Sequence, residues 1–260
     1  MAVADLLARG FPARSRKYWT SALARLAEHG APEGCPEFGY LLEADGRPVG
    51  ALLLIFSEVG GELRCNVSSW YVEPAHRGHA AVLASMASKL KHVTYVNTSA
   101  AEHTWPILKA LGYRRYSQGQ LAALPALAGG TGRVRPLRES DRDLSEFSLL
   151  AAHAAAGCTV LVCETAKGRE PFVFVRRWVW GAPAMQLVHA RSTEAFLACA
   201  GPLGRALALR GSPIVILDAA GPIAGLPGVW FQDRGLRYFK GPIEPRPNDL
   251  AFTEMVVFGP

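Results

Sequence analysis

LRCNVSSWYVEPAHRGHAAVLASMA, residues 63–87, is the stretch on which the reading of the chain turns. It begins as a run of strand formers, turns at Pro74, passes a short loop with Arg77 and Gly78, and continues as an alanine-rich helical segment. A strand that feeds directly into a helix makes an anion site, because the first-turn N–H groups and the helix dipole both favour negative charge. Arg77 adds a permanent positive charge. The unit therefore suits a phosphate.

Working outward, residues 13–28 place Tyr18, Leu23 and Leu26 at helical spacing, with Gly30 and Pro32 as stops. Residues 38–43 and 47–58 read as strands joined at Asp45-Gly46, a strong hairpin dipeptide. Gly60-Gly61 then turns the chain into the strand of the opening stretch, so three strands form a meander. Beyond the helix come a strand at 92–97, a short helix at 105–110 ended by Gly112, and a strand that begins at Tyr113.

This order resembles the GNAT N-acyltransferase superfamily. The resemblance is carried by Val72-Glu73-Pro74-Ala75-His76-Arg77-Gly78-His79-Ala80-Ala81, which matches a strand ending, V-x-P-x-x-R-G and a helix start, and by Leu111-Gly112-Tyr113, which matches a Leu-Gly-Phe ending. It covers residues 10–120. It implies an α/β (α+β) fold, a mixed and mostly antiparallel central sheet flanked by helices, and binding of acetyl-CoA or another acyl-CoA as co-substrate. The implied pyrophosphate site is the backbone of Arg77, Gly78, His79, Ala80, Ala81 and Val82. Pantetheine would pair along Trp70, Tyr71 and Val72. The sequence departs from the pattern at Ala80, where glycine is usual, and at Val82, where glycine or alanine is. Leu108 stands where the family carries the tyrosine that protonates the leaving thiolate.

The second half repeats the order. Residues 117–132, SQGQLAALPALAGGTG, are short of charge and rich in Gly, Ala and Pro, which marks a boundary. Arg133 to Asp141 reads as a strand and helix cap, followed by a helix at 142–156, strands at 159–164, 171–180 and 185–190, a helix at 193–210, and strands at 213–218 and 250–258. The expected organisation is two GNAT-like domains, 1–120 and 133–260, joined by a linker at 121–132. The second has neither the V-x-P turn nor the Arg-Gly loop between residues 189 and 194, so it is expected to have lost cofactor binding and to wall off the acceptor pocket or to be structural.

Acyl transfer to an amine needs a neutral nucleophile, a polarised carbonyl and a proton for the thiolate. Backbone N–H groups at Tyr71 and Val72 are candidates for the oxyanion. Glu73 is a candidate base acting through water, or a solvated turn residue. Asn97 reads either as a pantetheine or acceptor ligand or as a local turn residue. His103 is a candidate acid or base near neutral pH, or a helix-start packing residue. Tyr116, on the strand that follows, is a candidate for the proton donor in place of Leu108. His76 and His79 lack the further ligands a metal site needs. Trp70, Trp105, Trp178, Trp180 and Trp230 would line an aromatic acceptor site or, as strand residues, belong to the core.

Composition narrows the rest. The 260 residues are 50% hydrophobic and 19% charged, which is globular and not disordered. Net charge is +6, from 22 Arg and 6 Lys against 22 acidic residues. The arginines are scattered, which disfavours a nucleic-acid module and suits a small polyanion. Five cysteines without a Cys-x-x-Cys pair read as reduced thiols of a cytoplasmic protein. No secretory signal or membrane-length apolar run is evident. The expectation is an acyl-CoA-dependent N-acyltransferase acting on a small-molecule or peptide amine by direct attack in a ternary complex. The alternative is a non-catalytic acyl-CoA-binding or scaffold protein.

Overall fold

The structure is a computed structural model that describes residues 2–259. Its elements in chain order are α1 (Ala2–Gly10), α2 (Arg16–His29), β1 (Gly39–Ala44), β2 (Arg47–Val59), β3 (Glu62–Val72), α3 (Ala80–Ala87), β4 (Thr94–Asn97), α4 (Trp105–Ala110) and β5 (Arg114–Ala123). They continue with β6 (Arg133–Pro136), α5 (Phe147–Ala155), β7 (Thr159–Thr165), β8 (Gly168–Val179), β9 (Ala182–His189), α6 (Thr193–Ala208), β10 (Ile214–Ala219), β11 (Gly228–Lys240) and α7 (Glu254–Val257). Among the described residues no helix is long and apolar enough to cross a membrane.

The chain forms two compact units. Unit 1 holds residues 2–114, 237–244 and 252–259, and unit 2 holds 115–236 and 245–251. Each is a mixed, mostly antiparallel sheet with helices packed on it. The division departs from the expected 1–120 and 133–260, because residues from both ends of the sequence complete unit 1 and β5 lies almost wholly in unit 2. Residues 121–132, expected as a linker, instead finish β5 and continue into a 3-10 turn at Pro125–Leu127.

In unit 1, β1, β2 and β3 form the antiparallel meander, β3 and β4 run parallel, and Tyr238–Lys240 at the end of β11 pair antiparallel with β4. Asp45 and Gly46 both take positive φ, 51° and 70°, as a tight hairpin requires. Ser15 caps α2 by accepting the Tyr18 N–H, and Gly30 ends it with an N–H to the Leu26 carbonyl. Leu6, Leu7, Trp19, Ala22 and Leu26 of α1 and α2, with Val257 and Phe258, cover the sheet face that carries Ala51, Leu53 and Ile55. Strand side chains alternate, so Leu52, Leu54 and Phe56 face the other way, toward α3. The closing strand expected at 250–258 is not formed. That segment turns and forms the four-residue α7, and the missing strand is supplied by β11, for which the sequence reading places no element.

In unit 2 the order is β6-β7-β8-β9-β10-β5, antiparallel except for the parallel pair β9 and β10, and β5 has the first part of β11 on its far side. Phe196, Cys199, Ala200, Leu203 and Leu207 of α6 pack on Phe172, Phe174, Leu187 and Leu217. Pro202 sits inside α6 and cannot donate to the Ala198 carbonyl. The Thr131 N–H takes that acceptor at 3.1 Å, so residues 125–131 are fastened to the helix. A side chain at Gly204 would overlap the backbone of Pro125 and Ala126.

Candidate functional site

The site begins with a defect in β3. Its register against β2 slips between Ala51↔Tyr71 and Leu53↔Ser68, so Ser69 and Trp70 face the single residue Leu52. Ser69 takes φ of +53°. Such a bulge bends the strand and ends regular pairing. On its other edge β3 pairs with β4 only from Arg64↔Thr94 to Asn66↔Val96; β4 stops at Asn97 while β3 runs on to Val72. The Glu73 N–H bonds the Val49 carbonyl of β2 at 2.8 Å. Alternation along the strand therefore turns the Val72 N–H toward the edge that β4 has left. An open edge of this kind accepts an extended ligand as it would a strand.

Beyond Val72 the chain makes a 3-10 turn, Pro74–His79, and enters α3. The turn contains His76, Arg77 and His79, and no carboxylate is found in it or in the first turn of α3. His79 at the helix N-terminus provides no side-chain cap. Arg77 is exposed, and its side chain has no ion-pair or hydrogen-bond partner among the described residues. Gly78 has negative φ and open space around the position of a Cβ, so its value lies in access and not in backbone freedom. Ala80 is half-buried, and Ala81 and Val82 point to solvent, Val82 being 58% exposed. The valine thus stands on the outer face of the helix and does not fill the edge beside β3.

Tyr71 packs its ring beneath Gly10 and beside Phe11, 6.2 Å between centroids. It contributes backbone to the site, not its phenol. Glu73 is clamped: Arg9 and Arg47 each bond one carboxylate oxygen at 2.9 Å. These hydrogen bonds hold its pKa below the usual glutamate value, which suits an anchor for the turn more than a base. Asn97 ends β4 opposite Tyr238, and its Oδ1 accepts the Ser99 N–H at 3.3 Å. His103 is exposed in the 3-10 turn before α4. Leu108 is buried and packs as an apolar side chain. Tyr116 is buried in β5 and belongs to unit 2. The strand, turn and helix thus bring Tyr71, Val72 and residues 77–82 into one continuous feature, whereas His103 and Tyr116 stand on other elements.

Sequence reasoning missed a polar group on the α1, α2 and α7 face of unit 1. Asn66, at the last paired position of β3, donates to the Val96 carbonyl at 3.2 Å and to Thr98 Oγ1 at 3.4 Å. Its Oδ1 accepts the Glu254 N–H at 2.8 Å, and Thr98 donates to Glu254 Oε1 at 3.2 Å. Asn66 alone was conspicuous, as a polar residue in a buried strand. No local pattern ties it to a glutamate 188 positions away.

Unit 2 repeats the frame and fills it. β9 slips in register against β8 between Val173 and Phe174, and it pairs with β10 only as far as Gln186↔Ile216. There the chain's own segment occupies the gap. The Leu250 N–H bonds the Val188 carbonyl at 2.8 Å, while Asn248 accepts the Asp218 N–H at 2.7 Å and donates to its carbonyl at 3.0 Å. Ser192 caps α6 by accepting the Ala195 N–H, and Arg191 is bound by Glu146. Open edge, uncapped helix and unpaired arginine occur together in unit 1, and each has a filled counterpart in unit 2.

Solved structures share this architecture over nearly the whole chain. A GCN5-related N-acetyltransferase from Anabaena variabilis ATCC 29413 aligns with a TM-score of 0.57 at 11% identity, covering 91% of this chain and 68% of that one. The chain has the GCN5-related N-acetyltransferase, or GNAT, fold. A conserved Enterococcus faecalis V583 protein described as a candidate N-acyltransferase aligns with a TM-score of 0.53 at 12% identity over 95% of this chain and 70% of that one. A Pyrococcus horikoshii protein described as a candidate acetyltransferase gives 0.54 at 14% identity over 97% and 90%. At such identities the likeness is one of GNAT fold. No family model matches the sequence, and no curated protein does.

Proposed function

We propose that the chain is an acyl-CoA-dependent N-acyltransferase, with acetyl-CoA the default donor, that acylates a primary amine by direct attack in a ternary complex. The reading rests on the contrast between the open strand edge and turn of unit 1 and their filled counterparts in unit 2. The residues present fit the donor: the turn is cationic, carries no carboxylate, and offers helix-start amides without a side-chain cap. Arg77 and the backbone of residues 77–82, apart from the Ala80 N–H, which is bonded to the Arg77 carbonyl, would hold the pyrophosphate, and the Val72 N–H would hold the pantetheine arm or the thioester oxygen.

Acyl-CoA supplies an activated thioester when bound. The chain's part is to align it along β3 and to present the amine from the α1 and α2 face. Leu108 provides no proton for the thiolate. A free thiol has a pKa of about 8.5, so solvent water can protonate the departing sulfur. Unpaired cysteines, four of them buried, fit a reducing compartment. The buried Leu108 is also the observation that favours the second reading, an acyl-CoA-binding protein without turnover.

Thermal-shift titration with CoA and acetyl-CoA tests the donor site. The expected result is a rise in melting temperature that Arg77→Ala largely removes; no rise at millimolar ligand contradicts both readings. Thiol release from acetyl-CoA with a panel of primary amines separates the two, since binding without release leaves the non-catalytic reading.

A further inference from the structure

We infer that Glu254, on the short C-terminal helix α7, is the residue that receives the acceptor amine and takes its proton, an inference that rests on the acyltransferase reading above. Four observations carry it. The first is position. Asn66 marks the point where β3 and β4 part, and the Glu254 N–H is fixed to its side chain. With the pyrophosphate on the turn after Val72, an extended arm runs back along β3 toward the bulge at Ser69. Ser68 lies about 13 Å back from Val72 at the usual strand rise, and Asn66 is the next residue on the same face.

The second is face. Asn66 and Ser68 oppose Ile55 and Leu53, which α1, α2 and Phe258 cover. Glu254 is held on that same face through Asn66 and Thr98, so its carboxylate and an arm lying along β3 would meet on one side of the sheet. The third is an unmet need. Glu254 Oε1 accepts from Thr98, but Oε2 is shielded from solvent and accepts no hydrogen bond. A shielded carboxylate oxygen without a donor is costly, and an ammonium or amine N–H is the group that would satisfy it. The fourth is the want of an ion pair: among the described residues no cation pairs with Glu254, although Arg14 and Arg25 both act on Tyr18, the phenol whose pKa burial raises with help from the Glu254 charge. Arg25, the cation of α2 nearest this segment, spends its guanidinium on the Phe258 carbonyl at 2.8 Å. The other titratable or charged groups of α2 around the segment are Tyr18, whose ring lies under the Arg14 guanidinium, and His29, whose ring bonds the Phe56 carbonyl and faces Phe252.

In the step itself, Glu254 takes a proton from the acceptor ammonium. The neutral nitrogen bonds to the thioester carbon, and the carbon–sulfur bond breaks with its electron pair on sulfur. The nitrogen's second proton passes through water to the thiolate, and Glu254 releases the first proton to solvent, which returns its carboxylate for the next turnover. The substrate class is a primary amine that is cationic in solution, carried on a small molecule or a flexible peptide side chain.

The test compares the parent, Glu254→Gln, Glu254→Asp and Thr98→Val, using acetyl-CoA with ethanolamine, glucosamine and a lysine peptide as probes, and thiol release against pH. CoA thermal shift is recorded on every variant as the control for folding and for the donor site. For Glu254→Gln the expected result is turnover lowered by about two orders of magnitude with an unchanged CoA shift. Glu254→Asp should recover part of the rate, and Thr98→Val, which removes the donor to Oε1, should lower it with the CoA shift unchanged. A Glu254→Gln protein that keeps the parent's rate and pH profile overturns this inference and leaves the acyltransferase reading standing. A parent that binds CoA but releases no thiol with any probe overturns the catalytic reading and this inference with it.

Discussion

The side-chain amide of Asn248 bonds both the N–H and the carbonyl of Asp218, standing in for a neighbouring strand at the point where β9 and β10 separate. With Leu250 on Val188, it closes in unit 2 the edge that unit 1 leaves open. Asn248 is buried at a positive φ of 63°, a conformation asparagine tolerates well. Asn248→Ala leaves a buried donor and a buried acceptor unmet. The expected loss is about 2–4 kcal/mol, read by urea denaturation.

The acid stability of unit 2 depends on Asp141. This fully buried carboxylate is bonded by Arg135 through two 2.7 Å hydrogen bonds and by Arg169 at 3.0 Å. The Arg135 guanidinium holds its pKa far below the usual carboxylate range. Glu146 is likewise lowered to about 2: burial opposes ionisation, but the bond from Arg191 outweighs it. For groups with a depressed folded-state pKa, the stabilisation is complete above the unfolded values near 4 and is lost as pH falls through the folded ones. The melting temperature is therefore expected to hold from pH 7 to about 5 and to fall steeply below 4. Asp141→Asn should cost about 1.5–3 kcal/mol at pH 7, because Arg135 loses its two buried charge-assisted bonds and keeps only Glu164 as a charge partner among the described residues.

Glu73→Gln separates anchoring from catalysis. With Arg9 and Arg47 on its two oxygens, Glu73 is ionised throughout the neutral range. The variant is expected to keep most of its turnover and to retain the acidic limb of the pH–rate profile. Steady-state kinetics across pH check this, and loss of that limb in Glu73→Gln would make Glu73 the base.

Thiol labelling reports the packing. Cys35 is partly exposed, while Cys65, Cys158, Cys163 and Cys199 are buried and unpaired. Burial raises the thiol pKa of Cys158 to about 11 and, with its neighbour Cys163, that of Cys199 to about 12. A native titration with a chromogenic disulfide at pH 8 should modify Cys35 quickly and the other four only after unfolding.

The turn that organises unit 1 was legible because its signals are local. Pro74 ends a strand, Arg77 and Gly78 interrupt the apolar pattern, and Asp45-Gly46 fixes a hairpin through its own backbone preferences. The assembly of the units was not legible. β11 carries Gln232, Asp233, Arg234 and Gly235 in its middle, with positive φ at Asp233 and Gly235, so its alternation breaks where the strand bends. Residues 250–258 carry enough apolar side chains to read as a strand. They fold as a turn and α7, with the Glu254 N–H on Asn66, while β11 takes the strand position beside β4. Glu254 became visible as a candidate only when the fold brought it beside β3.

The measurement that tests the central claim most directly is isothermal titration of the parent and of Arg77→Ala with CoA. The account predicts one site per chain and at least a tenfold weaker Kd in Arg77→Ala, about 1.4 kcal/mol for the lost charge-assisted contact. Two sites per chain, no heat of binding at millimolar CoA, or equal affinity in the variant would contradict it.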